Sequence, residues 1–180
     1  GMGATQLATN LAVEIAQLDE WDGQPELGGR PRVAVVDLDF RTGQVAMQLD
    51  AQPTYTIAEL CETAESIDTQ MIERAVFKHQ TGVHVLARPT EPSQIDRISA
   101  GQCAGALAAL QEHYDFVIAD LPARWDPTAR AVFDMSDIYM LIFQLMVPCV
   151  RTTDRMLHDL MSTGYAMDRV RLVCSRAGGE

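Results

Sequence analysis

Short apolar runs bounded by polar turns recur along the chain and predict buried β-strands. The first run, RVAVVDLD at 32–39, is continuous and rich in valine, which is typical of a parallel strand covered on both faces. Later runs of the same character predict further strands. They lie at 82–88, 115–122, 137–144 and 169–175.

Helical patterns fill the intervals between these strands. Residues 5–18 carry an apolar stripe at helical spacing, formed by Leu7, Leu11, Ile15 and Leu18. Residues 56–78 predict two short helices, with Asp68 as a candidate N-cap for the second. The remaining helices are predicted at 99–113, at 127–135 and from Pro148 to about 161.

The alternation of strands and helices predicts an α/β fold with a doubly wound, mostly parallel sheet flanked by helices. In such sheets the carboxyl ends of the strands share one edge, where ligands bind. We predict a single domain over residues 1–180, with a surface insertion at 19–31. Because a helix follows Gly1-Met2-Gly3 directly, we expect the first strand of the sheet upstream of residue 1. Because the sequence stops just after a predicted strand, we also expect further elements beyond residue 180.

The charge of the chain disfavours several classes of partner. The net charge is −11 and the isoelectric point is near 4.7, so neither nucleic acid nor an anionic membrane surface is an expected partner. Lys78 is the only lysine. A mechanism that needs lysine must therefore use Lys78, a residue outside this chain, or a substitute.

Cysteines and histidines are dispersed, without the spacing of a metal site or a C-x-x-C pair. The four cysteines are predicted to be buried free thiols in a reducing cytoplasm. No run approaches the ~18 apolar residues of a membrane span, and no signal peptide is recognisable. These patterns predict a cytoplasmic location. The cysteines are Cys61, Cys103, Cys149 and Cys174.

A glycine-containing turn at the start of the first helix is a candidate phosphate site. In GMGAT at 1–5, the glycines allow several backbone N–H groups to converge on an anion, and the helix N-terminus adds its positive dipole end. Thr5 is placed to ligate Mg²⁺. A simple turn before a helix is the alternative reading of this segment.

Acidic residues close two of the predicted strands. Alternation along a strand places Asp37 and Asp39 on one side, where paired acids orient water or contact the water shell of a metal. Asp120 closes DFVIAD, the position from which an acid holds Mg²⁺ in P-loop proteins. Each acid alone also fits a solvated strand end. The glycine turn, Asp-x-Asp and Asp-x-Pro in this order predict nucleotide binding.

These segments resemble the ParA/MinD group of P-loop ATPases, a deviant Walker A group, and within it the CpaE/TadZ pilus-assembly proteins. GMGATQ is similar to the end of that subfamily's KGGVGATT loop. VVDLDFRTGQVAMQLD at 35–50 resembles VDLDLQFGDVALLLD, and YTIAEL at 55–60 resembles YTLADLL. GVHVLARPTEPSQIDRIS and YDFVIADLPA also match, so the resemblance spans nearly the whole chain.

The resemblance implies roles for individual residues. Asp37 and Asp39 would lie beside the γ-phosphate and the attacking water, and Thr5 and Asp120 would serve Mg²⁺. Residues of the phosphate loop and of the turn after the last strand would bind ATP or ADP. This nucleotide-binding set comprises Gly1, Gly3, Ala4, Thr5, Gln6, Ser175 and Arg176. A signature lysine would lie upstream of residue 1 and reach across a dimer.

The chain departs from its relatives at three points. Ala4 occupies the Walker lysine position, Ser175-Arg176 replaces the Asn-Arg that reads adenine, and Arg124-Trp125 stands where glycine is commoner. Arg124 contacts a phosphate or a dimer mate, or is an ordinary surface arginine. Loss of a donor such as the lysine costs roughly 10²–10³ in rate, so we expect at most a weak ATPase.

The resemblance implies a homodimeric, ATP-binding localisation or assembly factor for a Tad/Flp type IV pilus. Such a protein would act on pilus-assembly partners in the cytoplasm, at the cell pole or the inner face of the membrane. An upstream receiver-like domain is common in the subfamily.

Three alternatives belong to other classes. A nucleotide-free pseudo-ATPase scaffold is compatible with Ala4. An active ParA/MinD-type partitioning ATPase predicts a Walker lysine. A nitrogenase-iron-protein type of reductase needs clustered cysteines, which this chain lacks.

Overall fold

The computed structural model describes residues 3–19, 21, 29–63 and 66–176 of the chain. It confirms an α/β fold with a mostly parallel sheet arrangement. The helices are α1 (Ala4–Ala16), α2 (Val45–Gln48), α3 (Ile57–Glu62), α4 (Thr69–Ala75), α5 (Pro92–Ile95), α6 (Ala100–His113), α7 (Pro127–Met135) and α8 (Val147–Ser162). The strands are β1 (Val33–Asp37), β2 (Phe77–Lys78), β3 (Val83–Leu86), β4 (Phe116–Asp120), β5 (Tyr139–Phe143) and β6 (Val170–Cys174).

The chain divides into two compact units. The larger unit is Thr5–Asp134, and the smaller unit combines Gly1–Ala4 with Met135–Glu180. The positions 1, 2, 20, 22–28, 64, 65 and 177–180 are outside the described residues. The predicted insertion at 19–31 falls largely among them.

The sheet of the larger unit has the strand order β2-β3-β1-β4. Strand β1 runs parallel to both neighbours, and its register pairs Val36 with Leu86 and Asp37 with Asp120. All of β1 is buried, as its continuous apolar run predicts for a strand covered on both faces. The end of the helical range predicted at 56–78 is wrong: α4 ends at Ala75, and the short strand β2 runs antiparallel on the edge beside β3.

Helix α1 ends at Ala16, so Leu18 of the predicted stripe lies beyond it and is 44% exposed. The fully buried residues of the helix are Thr9, Ala12 and Ala16, and Ile15 of the stripe packs, partly buried, against the same core. Ala12 and Ala16 join the valines of β1 and β3 in one core cluster. Small side chains on this face allow the helix backbone to approach the sheet closely.

Side-chain caps define where several helices begin. Asp68 accepts a hydrogen bond from the Met71 amide at 2.8 Å, which confirms it as the N-cap of α4. Thr56 and Ser99 form capping boxes at α3 and α6. These local signals explain why the predicted helix starts agree with the structure.

In the smaller unit, β5 and β6 form a parallel pair. The Ser175 amide extends their ladder by donating to the Phe143 carbonyl at 2.7 Å. Helix α8 carries Pro148 in its first turn, as predicted. Within the described residues, every helix is too short or too polar to span a bilayer.

Candidate functional site

Two buried carboxylates end neighbouring strands of the larger unit. Asp37 closes β1 and Asp120 closes β4, and the strand register sets them directly opposite each other. They are 1% and 4% exposed. Adjacent strands lie about 4.8 Å apart, so two acids are held close together in a position with little water.

Thr5 joins this pair from the first turn of α1. Its hydroxyl donates to the Asp120 carboxylate at 2.6 Å. Burial raises the pKa of Asp120, the Thr5 hydrogen bond lowers it, and the charge of Asp39 raises it. The structure thus brings together the two residues predicted as Mg²⁺ ligands. Hydroxyl and carboxylate oxygens fit the hard-donor preference of Mg²⁺.

The Asp37 carboxylate accepts hydrogen bonds from backbone amides of the segment that follows it. One oxygen accepts from the Asp39 amide and the other from the Val45 amide, both at 3.2 Å. Burial raises the pKa of Asp37 to about 7; the bond from Val45 opposes this rise, and the charge of Asp120 adds to it.

Asp39 is in a different environment, although it is only two residues away. Strand β1 ends at Asp37, so strand alternation does not extend to Asp39, which is half-buried at the start of a turn. Its carboxylate accepts hydrogen bonds from the amides of Arg41 and Thr42 and from the Thr42 hydroxyl, at 3.3, 3.1 and 2.5 Å. Of the two predicted catalytic acids, Asp39 is the more accessible.

Two residues that no sequence motif marks, Gly43 and Arg88, support this turn. A side chain at Gly43 would place its Cβ 1.9 Å from a carboxylate oxygen of Asp37, so only glycine fits there. Arg88 donates to the carbonyls of Gly43, Phe40 and Pro89 at 3.0, 3.3 and 3.1 Å. No local pattern marks either residue, because both contacts depend on chain segments that meet only in the fold.

The remaining phosphate-loop candidates divide between the two units. Gln6 is an exposed residue of the first turn of α1 in the larger unit. In the smaller unit, Gly3 has a φ of 89°, and a Cβ built on it would lie 3.9 Å from the Ser175 side chain. The structure therefore brings Gly3 and Ser175 together. Ala4 begins α1, and the predicted contact at Gly1 lies outside the described residues.

Arg176 follows Ser175 with a left-handed backbone, φ 56°, and an exposed side chain. A non-glycine residue with positive φ is uncommon and marks a turn whose conformation its surroundings impose. This turn closes β6, where the sequence analysis expected base contacts.

Lys78 is too far from this site to replace a phosphate-binding lysine. It lies on the edge strand β2, which β3 and β1 separate from β4. In the sheet register, Lys78 lies opposite His84 on β3, and His84 lies opposite Ala34 on β1. Ala34 comes three residues before Asp37. Three strand spacings alone amount to roughly 14 Å.

The departure at Arg124 has a local explanation. Arg124 donates to Asp126 at 2.7 Å, and Asp126 also accepts from the Ala129 amide in the first turn of α7. The ring of Trp125 packs edge-on against Phe133 at a centroid distance of 4.9 Å. The structure places Arg124 in a surface ion pair at the start of a helix.

Across the residues that the structure describes, no group of three or more His, Cys, Asp or Glu side chains is arranged to hold a metal ion. The free thiols of Cys61 and Cys103 are buried, and those of Cys149 and Cys174 are partly buried.

Comparison with known proteins identifies the fold. No protein-family model matches the chain. The septum site-determining protein MinD of Thermotoga maritima is 18% identical over 178 residues, which cover 98% of this chain and 60% of that protein. This chain therefore spans about 60% of the length of its curated relative.

Two solved structures share the fold at similar identity. A ParA family ATPase from Chlorobium tepidum superposes with a TM-score of 0.87, at 18% identity, over 98% of this chain and 70% of that one. MinD of Pyrococcus horikoshii, solved in complex with Mg-ADP, superposes with a TM-score of 0.76, at 19% identity, over 99% and 67% of the two chains. The chain has the fold of ParA/MinD-type ATPases.

Proposed function

We propose that this chain is the nucleotide-binding part of a ParA/MinD-type ATPase and binds ATP or ADP together with Mg²⁺. The observation that carries the proposal is the 2.6 Å hydrogen bond between Thr5 and Asp120. It unites a threonine from the start of a helix with an acid from the end of a buried strand, which is the donor set that a Mg²⁺-nucleotide site requires. The shared fold with a MinD protein solved with Mg-ADP supports it.

The residues of the chain have separate tasks in this proposal. Thr5 and Asp120 hold Mg²⁺, which would supply positive charge for the phosphates. Backbone amides at the start of α1 bind the phosphates, helped by the positive end of the helix dipole. Asp39 approaches the terminal phosphate from its turn. The remaining nucleotide contacts are assigned to Gly1, Gly3, Ala4, Gln6, Ser175 and Arg176.

We infer that hydrolysis is slow. Ala4 provides no ammonium group, and Lys78 lies across the sheet from the site. Phosphoryl transfer depends on preorganised positive charge, and loss of one such donor costs roughly 10²–10³ in rate. A protein that binds nucleotide tightly and turns it over slowly still changes state with its ligand.

The more specific role that we propose for the chain is that of a localisation or assembly factor for a Tad/Flp pilus. It rests on the similarity of the segments at 1–6, 35–50 and 55–60 to the CpaE/TadZ proteins. In this role the chain forms a nucleotide-dependent homodimer in the cytoplasm, at the pole or the inner membrane face. Its partners are pilus-assembly proteins.

One observation favours a second candidate, a scaffold that no longer binds nucleotide. Ala4 removes the group most responsible for phosphate contact in relatives. Against the scaffold, Asp37 and Asp120 still face each other as buried acids, and the charge of Asp120 raises the pKa of Asp37. Two buried acids held opposite each other are electrostatically unfavourable unless a cation lies between them.

Calorimetric titration of the intact protein with ATP and ADP, with Mg²⁺ and with EDTA, tests the proposal. We expect micromolar binding that requires Mg²⁺ and is accompanied by dimerisation with ATP. Thr5→Val removes the hydroxyl at nearly constant volume and should weaken Mg-ATP binding at least about ten-fold. Thr152→Val, on the exposed side of α8, is the matched control and should bind like the parent.

The outcomes separate the two candidates. If millimolar nucleotide produces no heat with the parent protein, the chain is a scaffold. If Thr5→Val binds as tightly as Thr152→Val, the assignment of Thr5 to Mg²⁺ fails even though nucleotide binds. A hydrolysis rate equal to that of lysine-containing relatives would remove the inference of slow turnover.

A further inference from the structure

The segment 39–44, which we call the acidic turn, is held from two sides. It connects the end of β1 to the start of α2 and carries Asp39. On one side, the amides of Asp39 and of Val45, the residue that follows the turn, donate to a buried acid. On the other, its carbonyls point at an arginine. This arrangement is more constrained than a surface turn of this length requires.

The inner contact is the Asp37 carboxylate. It accepts from the amide of Asp39, where the acidic turn begins, and from the amide of Val45, the first residue of α2. Both oxygens are used, each at 3.2 Å. One buried side chain therefore fixes both ends of the turn.

The outer contact is the Arg88 guanidinium. Arg88 lies two residues beyond the end of β3, which is paired in parallel with β1. Its Nε donates to the Gly43 carbonyl and one terminal nitrogen donates to the Phe40 carbonyl. The planar fork of arginine suits it to span two acceptors in a fixed geometry.

Gly43 is where the two contacts meet. Its carbonyl accepts from Arg88, and its Cα lies so close to Asp37 that a Cβ would be 1.9 Å from the carboxylate. The acidic turn is therefore packed between the Asp37 carboxyl group and the Arg88 guanidinium.

We propose that Asp37 and Arg88 act together as a clamp on the acidic turn and thereby set the position of the Asp39 carboxylate. Asp39 takes its orientation from the turn itself, since it accepts from the amides of Arg41 and Thr42 and from the Thr42 hydroxyl. Asp37 and Arg88 are positioning residues in this proposal. The consequence for ligand binding rests on the proposed function, in which Asp39 approaches the terminal phosphate.

The effect of the clamp on ligands follows from the place of Asp39. ADP lacks the terminal phosphate, so a displaced acidic turn should leave its affinity unchanged. ATP binding depends on how the turn meets the third phosphate. Loss of the clamp should therefore change the preference between ATP and ADP without abolishing nucleotide binding.

The test compares Arg88→Met and Arg88→Lys with Arg97→Met in the intact protein. Arg97 is an exposed arginine, which makes its substitution a matched control. Amide hydrogen exchange over residues 38–46 reports the turn directly and needs no nucleotide. Calorimetric dissociation constants for Mg-ATP and Mg-ADP report the consequence.

We expect Arg88→Met to accelerate exchange of the acidic turn about ten-fold, because two carbonyls lose their donor, while other segments exchange as in the parent. Its ratio of ATP to ADP affinity should change at least about three-fold, with the ADP constant preserved. Arg88→Lys keeps the charge but not the planar fork that spans two carbonyls, so it should show part of both effects. Arg97→Met should match the parent.

Unchanged exchange over 38–46 in Arg88→Met overturns the clamp. Faster exchange with an unchanged ATP-to-ADP ratio limits Arg88 to a structural role and overturns its effect on Asp39. If Arg88→Met fails to fold, Arg88→Lys decides by the same two measurements. Absence of nucleotide binding in the parent refutes the proposed function alone, since the exchange result still tests the clamp.

Discussion

The two units of the chain differ in net charge and in how far their apolar side chains are exposed to solvent. The whole net charge of −11 lies in the larger unit, because the smaller unit has as many arginines as aspartates and glutamates. The larger unit buries β1 completely, whereas Leu145, Met146 and Val147 of the smaller unit are exposed. Among the described residues, most of the exposed large apolar side chains belong to the smaller unit.

This difference in burial follows from how much core each unit can enclose. A sheet of four strands covered by helices encloses a core and holds acids at its edge. A two-stranded pair with one long helix encloses little by itself, since isolated strand pairs are marginal in water. Contiguous exposed apolar surface of this kind commonly marks a contact with other protein.

The largest expected effect concerns the buried acids of the larger unit. Asp37 has a folded-state pKa of about 7, above the ordinary value of 3.8, so the folded state holds its proton more tightly than the unfolded state. Its stabilising contribution is present below pH 3.8 and is lost as the pH rises through 7, by up to about 4 kcal/mol. Burial raises the pKa of Asp120 as well, which acts in the same direction.

Urea unfolding in Mg²⁺-free buffer at pH 5 and pH 7.5 measures this effect. The parent should lose more stability over that interval than Asp37→Asn, in which the position no longer titrates. Asp96→Asn, at an exposed site, is the control and should follow the parent. Equal pH dependence of the parent and Asp37→Asn would show that Asp37 does not titrate in this range.

Two glycine substitutions compare how closely neighbouring atoms pack around a glycine in each unit. Gly43→Ala in the larger unit forces a Cβ to within 1.9 Å of Asp37 and should cost about 3 kcal/mol. Gly164→Ala in the smaller unit meets no atom within 4 Å and strains only the backbone at φ +82°, which costs about 1 kcal/mol. Thermal or urea unfolding of both variants ranks them, and a reversed order contradicts the comparison.

The smallest expected effect is found in a comparison of two apolar truncations, at Leu145. Val35→Ala removes two methyl groups from a residue with no exposed surface and should cost about 2 kcal/mol. Leu145→Ala changes a side chain that is 71% exposed and should alter the free energy of unfolding by less than about 0.5 kcal/mol. A cost for Leu145→Ala comparable to that of Val35→Ala would mean that other protein covers Leu145.

Much of the secondary structure was predictable because its signals are local. The valine runs, the capping residue Asp68 and the proline of α8 each act over a few neighbouring positions, and the corresponding elements lie where they were expected. Short elements such as β2, α2 and α5 were not predicted, since two to four residues carry too little periodicity. Their existence depends on what they pack against.

The candidate site was predictable only in part. Thr5 and Asp120 were named from their places beside a helix start and a strand end, and the structure joins them by a hydrogen bond. Gly43 and Arg88 were not named. Arg88 contacts residues 45 and 48 positions earlier in the chain, and no spacing rule connects them.

The sequence by itself determined the alternation of strands and helices, the acids at strand ends, the excess of negative charge and the alanine at position 4. These are properties of composition or of nearest neighbours. Only the tertiary structure decided which face of α1 is buried and why Asp37 and Asp39 differ. Both acids follow the same valine run, but the register with β4 and the contact with Gly43 bury Asp37, while Asp39 stays half-buried at the start of its turn. Burial depends on segments distant in sequence, and it sets how far water and a ligand can reach a carboxylate.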